Sequence, residues 1–383
     1  MTQVQAEDNY KKVCYLDTDN ITNNKINAFL KIDLTKEKLP SRAKRKCSLN
    51  SIIYSSVRPN QRHFGIIKEI PKNFLVSTAF IVIDIIDLKK LDPNYLYYYI
   101  TQDKITHYLQ RIAECGTSSY PSITPLDFLN IKIKLYPLET QQKIARTLSV
   151  LDQKIENNHK INELLHKILE LLYEQYFVRF DFLDENNKPY QTNGGKMKFS
   201  KELNRLIPSG WNVRFLNHKI VSTYQPKTIS KTLLNDSYSY SVYGGGGIIG
   251  RFTEYNHEQS EFIISCRGQC GISYLTLPKS WITGNAMVIR PTKSYTSKTY
   301  LYHTIKKYKL TNYITGSVQP QITRQNLSTM PILIPKRKTL NKWNNISSLL
   351  WNLIHNNMQS TQTLTALRDF LLPLLLKQQV KPQ

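Results

Sequence analysis

Tyr120-Pro121-Ser122-Ile123-Thr124 returns later in the chain as Gln319-Pro320-Gln321-Ile322-Thr323, an offset of 199 residues between Tyr120 and Gln319. The same offset carries Asn157-Asn158 onto Asn356-Asn357. The same 199-residue offset therefore relates a loop, a strand and a helix of the first copy to those of the second. A repeat of this length is too long for a solenoid, so it predicts two copies of one domain-plus-helix unit.

Upstream of the repeated loop, both copies are predicted to be rich in strands. Tyr95-Leu96-Tyr97 resembles Tyr300-Leu301-Tyr302, and Ile52–Pro59 resembles Phe262–Gly268. Short β-branched runs bounded by Gly, Pro and Asn are typical of strands. The runs that we predict to be strands include Phe80–Ile86, Ile131–Leu135, Phe262–Ser265 and Ile332–Ile334.

Each β-rich region is followed by apolar residues at heptad spacing, which predicts a long helix. The first helix is expected from about Gln141 to Tyr176, and Pro373 is expected to end or kink the second. Two equivalent helices of one chain can pair antiparallel, and asparagines in the seam would then fix the register. The predicted pairing residues are Leu151, Ile155, Asn158, Leu165, Leu350, Ile354, Asn357 and Leu364. About 36 helical residues at ~1.5 Å each span on the order of 54 Å, so the pair can act as a ruler.

The fold class is therefore predicted to be α+β. Two β-rich domains are each followed by a long helix, and the two helices pair as an antiparallel coiled coil with pseudo-two-fold symmetry. The boundaries that we predict are residues 1–137 for the first domain, 138–179 for the central helix, 180–208 for a polar linker, 209–336 for the second domain, 337–376 for the C-terminal helix and 377–383 for a tail.

Charge is the strongest signal in the composition of the 383 residues. Lys and Arg number 52 against 28 Asp and Glu, a formal net charge of +24 at pH 7. This excess indicates a polyanionic partner, and nucleic acid is favoured because no amphipathic membrane anchor is visible. The alternative is that the excess of lysine only keeps the protein soluble.

Membrane and metal functions are not expected. Phe80–Ile86 and Leu371–Leu376, the most apolar stretches, fall far short of the ~20 residues of a membrane span. No signal peptide is recognisable, so we expect a cytoplasmic chain with no membrane role. The five cysteines are scattered, which fits reduced thiols. Cys266 and Cys270 have no second pair of ligands at zinc spacing.

In these features the chain resembles the specificity subunits of type I restriction-modification enzymes. The order and spacing of the matching stretches cover nearly the whole sequence. One departure is that the first domain has no Pro-x-Gly-Trp segment before Tyr15. The matching stretches are Leu148–Ile155, Asn193–Met197, Ile207–Trp211, Gly316–Ile322 and Leu367–Pro373.

The resemblance implies a role for each part of the chain. Each β-rich domain would be a target-recognition domain for one half of a split site in double-stranded DNA, and the helices would set the gap. The chain would not be catalytic. Two methyltransferase (modification) subunits and ATP-driven restriction subunits would be its partners. S-adenosylmethionine, ATP and magnesium are expected on those partners, and no cofactor on this chain.

The predicted DNA contacts are loop residues, because Arg and Lys suit phosphates and guanine edges, whereas Asn and Gln can pair with adenine. For each the alternative is an ordinary solvated loop. In the first domain they are Arg42, Lys44, Arg45, Lys46, Arg58, Asn60, Gln61, Arg62, Ser118 and Tyr120. In the second they are Tyr243, Gly245, Gly246, Arg251, Arg267, Gln269, Ser317, Gln319 and Gln321.

Two patterns need a choice between interpretations. Gly245-x-Gly247-x-x-Gly250 formally matches a dinucleotide-binding fingerprint, which requires a helix directly after it. The polar stretch Arg251–Ser260 follows instead, so a loop that touches DNA is favoured. Tyr97-Tyr98-Tyr99 could stack on bases, but its predicted helical context after Pro93 favours core packing.

Two other classes of function remain as alternatives. An adenine methyltransferase needs a polar-Pro-Pro-aromatic tetrapeptide, and none occurs. A nuclease needs clustered carboxylates for metal, and Asp84, Asp87 and Asp92 are not spaced for this. A coiled-coil scaffold with incidental charge would bind without regard to salt, whereas DNA binding weakens steeply as salt rises.

Overall fold

The computed structural model describes residues 11–22, 25–115, 121–235, 238–316 and 319–382. The chain forms two compact units. The first unit consists of residues 1–157 and 360–383, and the second of residues 158–359. The two long helices, α4 (Leu138–Tyr173) and α7 (Arg337–Leu376), therefore each contribute one part to each unit.

The first unit combines short strands with three short helices. Its strands are β1 (Lys12–Leu16), β2 (Ile21–Thr22), β3 (Lys25–Ile26), β4 (Leu30–Asp33), β5 (Ala43–Arg45), β6 (Ile52–Ser55), β7 (Phe64–Ile66), β8 (Phe74–Ser77) and β9 (Phe80–Ile83). Its short helices are α1 (Pro93–Ile100), α2 (Asp103–Glu114) and α3 (Pro125–Leu129). The main sheets have the strand orders β4-β1-β8-β5 and β7-β6-β9.

The second unit is built in the same way from more strands. These are β10 (Met197–Ser200), β11 (Arg205–Pro208), β12 (Asn212–Phe215), β13 (Val221–Tyr224), β14 (Tyr240–Gly244), β15 (Gly247–Phe252), β16 (Phe262–Ser265), β17 (Ser273–Leu275), β18 (Trp281–Ile282), β19 (Ala286–Pro291), β20 (Ile314–Thr315), β21 (Gln321–Ile322) and β22 (Pro331–Ile334). The short helices are α5 (Lys298–Lys307) and α6 (Arg324–Leu327). The main sheets are β13-β19-β16-β17 and β15-β14-β18.

The two units, which repeat in the sequence, also share a pattern of hydrogen bonds. Strand β6 pairs antiparallel with β7 and β9, and β16 pairs antiparallel with β17 and β19. The Tyr95 hydroxyl donates to the Lys134 carbonyl at 2.7 Å, and the Tyr300 hydroxyl donates to the Leu333 carbonyl at 2.6 Å. Both tyrosines are fully buried, so the same bond anchors a short helix in each unit.

The long helices close the core of each unit. In the first unit Ile144 and Leu148 of α4 lie in one buried cluster with Leu375 and Leu376 of α7. In the second unit Leu169 of α4 shares a cluster with Trp343, Trp351 and Ile354 of α7, and Leu165 and Leu350 pack against it. The predicted pairing residues Leu151, Ile155 and Leu364 are half-buried.

Asn357 bonds to an asparagine of α4 that is not among the predicted pairing residues. The Asn357 side chain donates to the Asn162 side chain at 2.9 Å, and Asn162 donates to the Ile354 carbonyl at 3.3 Å. Asn158, the expected partner, lies one turn earlier on α4 and is half-buried.

The two long helices begin at the predicted residues, Leu138 and Arg337. Helix α4 passes into a π-helical turn over Glu174–Val178, and α7 continues past Pro373 to Leu376, its predicted end. Two predicted strands differ from the structure. The run Phe80–Ile86 is a strand only to Ile83. Ile131–Leu135 is not a strand, because no described residue pairs with its backbone as β12 pairs with β22. Tyr97 and Tyr98 lie buried on helix α1, as predicted.

Candidate nucleic-acid interface

In the first unit, backbone hydrogen bonds hold several loops together at one place. Ser56 donates its amide to the Ala79 carbonyl at 2.7 Å, and Arg58 donates to the Pro121 carbonyl at 2.9 Å. Thr78 donates to the Arg42 carbonyl at 2.9 Å. We call this assembly of residues 42, 56–62, 78–79 and 121–122 the first tip. It brings the predicted contacts Arg42 and Arg58–Arg62 into one neighbourhood.

The Arg58–Arg62 loop of the first tip is held rigidly. Arg58 and Arg62 both adopt the left-handed backbone region, with φ of 50° and 56°, which costs on the order of 1 kcal/mol for each non-glycine residue. The buried Gln110 side chain accepts from the Asn60 amide at 3.1 Å. Arg62 forms an ion pair with Asp103 at 2.8 Å. Arg58, Asn60 and Gln61 expose their side chains.

The basic cluster Arg42–Lys46 lies on and beside the edge strand β5, which pairs with β8. Arg42 and Lys44 are exposed, whereas Arg45 and Lys46 are half-buried. Desolvation lowers the pKa of Arg45, and its Nη1 atom is buried without a hydrogen-bond partner among the described residues. Arg42 and Lys44 are therefore the members of the cluster with side chains open to a polyanion.

The second unit repeats the arrangement with different side chains. Cys266 donates its amide to the Asn285 carbonyl at 3.0 Å, and Ile322 donates to the Cys266 carbonyl at 3.0 Å. In the first unit Ile123 donates to the Ser56 carbonyl at 2.7 Å in the same way. Arg267 forms a β-bridge with Gln321, as Val57 does with Ser122. We call residues 226–228, 244–247, 266–270, 284–285 and 319–321 the second tip.

Glycine is required where the Gly-rich turn meets the second tip. A Cβ atom on Gly245 would lie 2.9 Å from the Arg267 carbonyl oxygen and 2.9 Å from the Ser265 hydroxyl. The turn joins strands β14 and β15, and no helix follows Gly250. The dinucleotide interpretation therefore fails, because the anion-binding helix N-terminus is missing. The predicted contacts that the second tip exposes are Gly246, Arg267, Gln269, Gln319 and Gln321.

Two predicted contacts are corrected by the structure. Tyr243 is 3% exposed and lies in the core, where its hydroxyl oxygen accepts from the Leu277 amide at 3.0 Å. Desolvation raises the pKa of Tyr243 to about 12. The Arg251 guanidinium donates to the backbone carbonyls of Tyr238 and Ser239, so it ties its own hairpin together.

Three further predicted contacts, Ser118, Tyr120 and Ser317, lie outside the described residues. The structure also adds residues that sequence reasoning missed. Exposed Lys227, Thr228 and Asn285 belong to the second tip, and a Cβ on Gly284 would lie 2.7 Å from the Thr228 hydroxyl. The neighbouring Gln225 donates its amide to the Cys266 sulfur at 2.9 Å.

A second surface follows the outside of the long helices. In the second unit Ile161, Leu164, Ile168 and Leu171 of α4 recur at three- and four-residue steps with exposures of 46, 58, 45 and 67%. We call these four residues the outer stripe. A row of exposed aliphatic side chains on one helix face indicates a surface for protein contact. On α7 the exposed apolar residues are Ile346, Leu349 and Leu353 in the second unit and Leu367 and Phe370 in the first.

The part of the chain that the structure describes offers no metal cluster and no membrane span. No group of three or more His, Cys, Asp and Glu residues among those described is arranged to hold a metal ion. None of the described helices combines the length and hydropathy that crossing a bilayer requires. All five cysteines are free thiols.

Comparison with known proteins gives consistent matches. The family model described as "Type I restriction modification DNA specificity domain" matches residues 3–167 and 208–367. The Type I restriction enzyme HindI specificity subunit of Haemophilus influenzae is 23% identical, over 97% of this chain and 95% of the relative. The Type I restriction enzyme MjaIX specificity subunit of Methanocaldococcus jannaschii is 24% identical, over 74% of this chain and 68% of the relative.

Among solved structures, the S subunit of a type I restriction-modification system from M. genitalium is similar in fold. It superposes with a TM-score of 0.58 at 15% identity, covering 98% of this chain and 92% of the subunit. At this identity the similarity concerns the fold alone.

Proposed function

Because the chain belongs to the type I restriction modification DNA specificity family, we propose that it reads a split target in double-stranded DNA, with one half-site for each unit. The observation that carries the proposal is the repeated tip. Ser56 and Cys266 accept the same backbone hydrogen bond from Ile123 and Ile322, so each unit presents polar loops on an equivalent scaffold. The net charge of +24 supplies attraction to the phosphates.

Side chains of the second tip divide by chemistry. Arg267 and Lys227 are exposed cations suited to phosphates or guanine edges. Gln321, Asn285 and Gln269 carry amides that can pair with adenine edges. In the first tip Arg42 and Arg58 take the cationic role, and Asn60 and Gln61 supply amides.

The long helices set the distance between the half-sites in this proposal. Two contacts support an antiparallel coiled coil with pseudo-two-fold symmetry. In the first unit Arg368 of α7 forms an ion pair with Asp152 of α4 at 2.9 Å. In the second unit Asn357 of α7 donates to Asn162 of α4. Residues earlier on α4 thus meet residues later on α7, the order that antiparallel helices require.

The chain itself performs no chemistry in this proposal. It directs modification subunits to adenines of the target, and S-adenosylmethionine, ATP and magnesium belong to the modification and restriction subunits in the cytoplasm. The outer stripe on α4 is the proposed docking face for a modification subunit. Leu164→Lys with Leu171→Lys should abolish co-purification with that subunit, because two aliphatic side chains that the docked subunit would bury become charged. His159→Ala, at an exposed position of α4 away from the outer stripe, is the control and should leave co-purification intact.

A methylome measurement tests the split target. Cells expressing the chain with its modification partner are sequenced for methylated adenines. Arg267→Ala combined with Gln321→Ala should change the methylated motif on one side of the gap only. The exposed Lys338→Ala, on α7, should leave the motif unchanged. Changes on both sides of the gap would contradict the assignment of one half-site to each unit.

A salt titration separates DNA reading from a scaffold with incidental charge. Binding of the assembled complex to its target should fall steeply between 50 and 200 mM salt, by on the order of 10³-fold if six phosphates are neutralised. Arg42→Ala together with Lys44→Ala should reduce the slope of log affinity against log salt by about 2. An affinity that does not respond to salt would favour the scaffold.

A further inference from the structure

A cleft of about 530 Å³ opens beside the second tip. One wall is formed by the turn before β13 and the first residues of that strand, and the other by the short helix α6. Both walls lead into the second tip, since Thr223 lies three residues before Pro226 and Arg324 lies three residues after Gln321. We call this the flanking cleft, and its polar lining includes Asn217, His218, Ser222, Thr223, Arg324 and Gln325.

Five polar side chains of the flanking cleft have no partner inside the described protein. Arg324, Gln325, His218 and Ser222 are exposed, and Thr223 is half-buried. Across the ranges that the structure describes, no hydrogen bond or ion pair takes up any of these side chains. A guanidinium, an amide, an imidazole and two hydroxyls can therefore all donate to a ligand in the cleft.

Acidic residues are missing from both walls of the flanking cleft. The sequence has no Asp or Glu in residues 203–235 or in residues 262–368. Arg290, opposite Ser222 on β19, is paired with Glu261 at 2.6 Å, so the charge of that carboxylate is already compensated. Hydrogen-bond donors with one unpaired guanidinium and no carboxylate among the lining residues favour an anionic ligand.

The same helical turn in the first unit has different chemistry. A threonine is the N-cap residue in both units, Thr124 before α3 and Thr323 before α6. The 199-residue offset places Pro125, Leu126, Asp127 and Leu129 of the first unit at Arg324, Gln325, Asn326 and Ser328 of the second. A proline, two leucines and a carboxylate thus form this turn equally well, so the shared scaffold does not require the polar side chains of the flanking cleft.

We propose that the flanking cleft holds a phosphate of the DNA backbone next to the second half-site, with Arg324 as its main ligand. This inference rests on the proposed function. Three residues of chain span at most about 11 Å, and phosphates of one strand lie ~3.4 Å apart along the duplex axis. The phosphate therefore lies about three base pairs from the bases that the second tip touches. Arg324 positions the second unit on the duplex without a base preference of its own.

Single phosphate replacement tests the proposal on the complex of the full chain with its modification partner. A neutral methylphosphonate replaces one phosphate at a time across the second half-site and its flanks, and a mobility shift measures the affinity. The wild-type complex should lose about tenfold in affinity at the position that Arg324 contacts, because a hydrogen bond between charged groups is lost. Arg324→Ala should lose about tenfold on unmodified DNA and nothing further at that position. Its methylated motif should not change, and its salt slope should fall by about 1.

Two further variants separate a phosphate contact from a structural effect. Gln325→Glu adds a negative charge to the cleft at nearly constant size, so it should weaken binding, and the methylphosphonate should restore part of the loss. Lys338→Ala removes an exposed cation that lies past the end of β22. The cleft adjoins the start of β22, where the Leu216 amide donates to the Met330 carbonyl at 2.9 Å. Lys338→Ala should therefore keep the wild-type penalty at the contacted position.

Three results would decide against a phosphate contact in the flanking cleft. The same penalties in Arg324→Ala as in the wild type would overturn the proposal, and so would a wild-type complex without any penalty at the flanking positions. Inorganic phosphate, titrated into the complex without DNA, should give no heat of binding that Arg324→Ala removes. Such a heat would assign the cleft to a free phosphate ligand instead. A wild-type footprint that leaves the second half-site unprotected would contradict the proposed function itself, and the two failures are thus distinguishable.

Discussion

Replacing Arg368 with alanine should destabilise the first unit by about 2 kcal/mol. Arg368 Nη1 lies 2.9 Å from Asp152 Oδ1, and the Tyr98 hydroxyl donates to Asp152 Oδ2 at 2.6 Å. Both carboxylate oxygens of Asp152 are therefore bound between α1, α4 and α7. Burial lowers the pKa of Arg368, but the hydrogen bond to Asp152 outweighs it and the pKa is raised, so the guanidinium stays charged.

The magnitude follows from the exposure of the pair. Breaking a fully buried pair costs about 3–5 kcal/mol, and a fully exposed pair is worth at most ~1 kcal/mol. The side chains of Arg368 and Asp152 are 21% and 34% exposed, which places the loss between these limits. Asp369 also contacts Arg368, at 2.8 Å, but is 58% exposed. Asp369→Asn should therefore change stability by less than about 0.5 kcal/mol and serves as the control.

A double-mutant cycle measures the pair itself. Arg368→Ala, Asp152→Ala and the double variant are compared by urea-dependent hydrogen exchange of peptides covering Ile144–Asn157, because a chain of two units need not unfold in one step. We expect a coupling energy of about 1 kcal/mol or more. A value below about 0.3 kcal/mol, the error of additivity for independent sites, would refute the argument that this pair joins α4 to α7.

Three further predictions concern the second unit. Desolvation lowers the pKa of His303 to about 3 and that of His355 to about 4 from the usual 6.5. As the pH falls through 6.5, the histidines of the unfolded chain are therefore protonated before those of the folded chain. The free energy of unfolding measured in urea should be lower at pH 5 than at pH 7.5 by about 2 kcal/mol per histidine. His303→Gln should make this difference smaller. Asn162→Leu alone should cost about 1–2 kcal/mol because it leaves the Asn357 amide unpaired, whereas the double leucine variant should be at least as stable as the wild type in the same assay. Gly245→Ala should weaken affinity for the second half-site about tenfold in a footprint, because its methyl group would meet a backbone carbonyl at 2.9 Å.

The parts of the fold that the sequence predicts well are those set by long-range repetition. Two copies of a motif constrain each other, so the repeat alone is enough to assign Ser122 and Gln321 to equivalent loops. Helices α4 and α7 are predictable because apolar residues persist at heptad spacing over many turns. Helix α7 spans Arg337–Leu376, the bounds that the sequence predicts, and it continues through Pro373 because few backbone bonds are lost near a helix end.

The errors come from contacts between residues far apart in sequence. Tyr243 borders a glycine turn, which favours exposure, yet its ring enters the core because the neighbouring strand β18 covers it. Arginine is a residue type suited to DNA contact, but the Arg251 guanidinium donates hydrogen bonds to the carbonyls of Tyr238 and Ser239. Ile131–Leu135 has strand composition, but no described residue pairs with it as a strand, and a strand needs a neighbour to bond its backbone.

Under the proposed function, the two tips would let one scaffold serve two different half-sites. Their shared bonds run between backbone atoms, from Ile123 to Ser56 and from Ile322 to Cys266, so they do not depend on side-chain identity. Val57 and Arg267 occupy the same bridge position with quite different chemistry. Because the loop geometry is held by the main chain, side chains on it can change without a cost in packing, and the groups offered to the DNA change with them. The proposed function therefore assigns recognition to residues that differ between the two copies of the repeat, and it assigns the scaffold to residues that the two copies share.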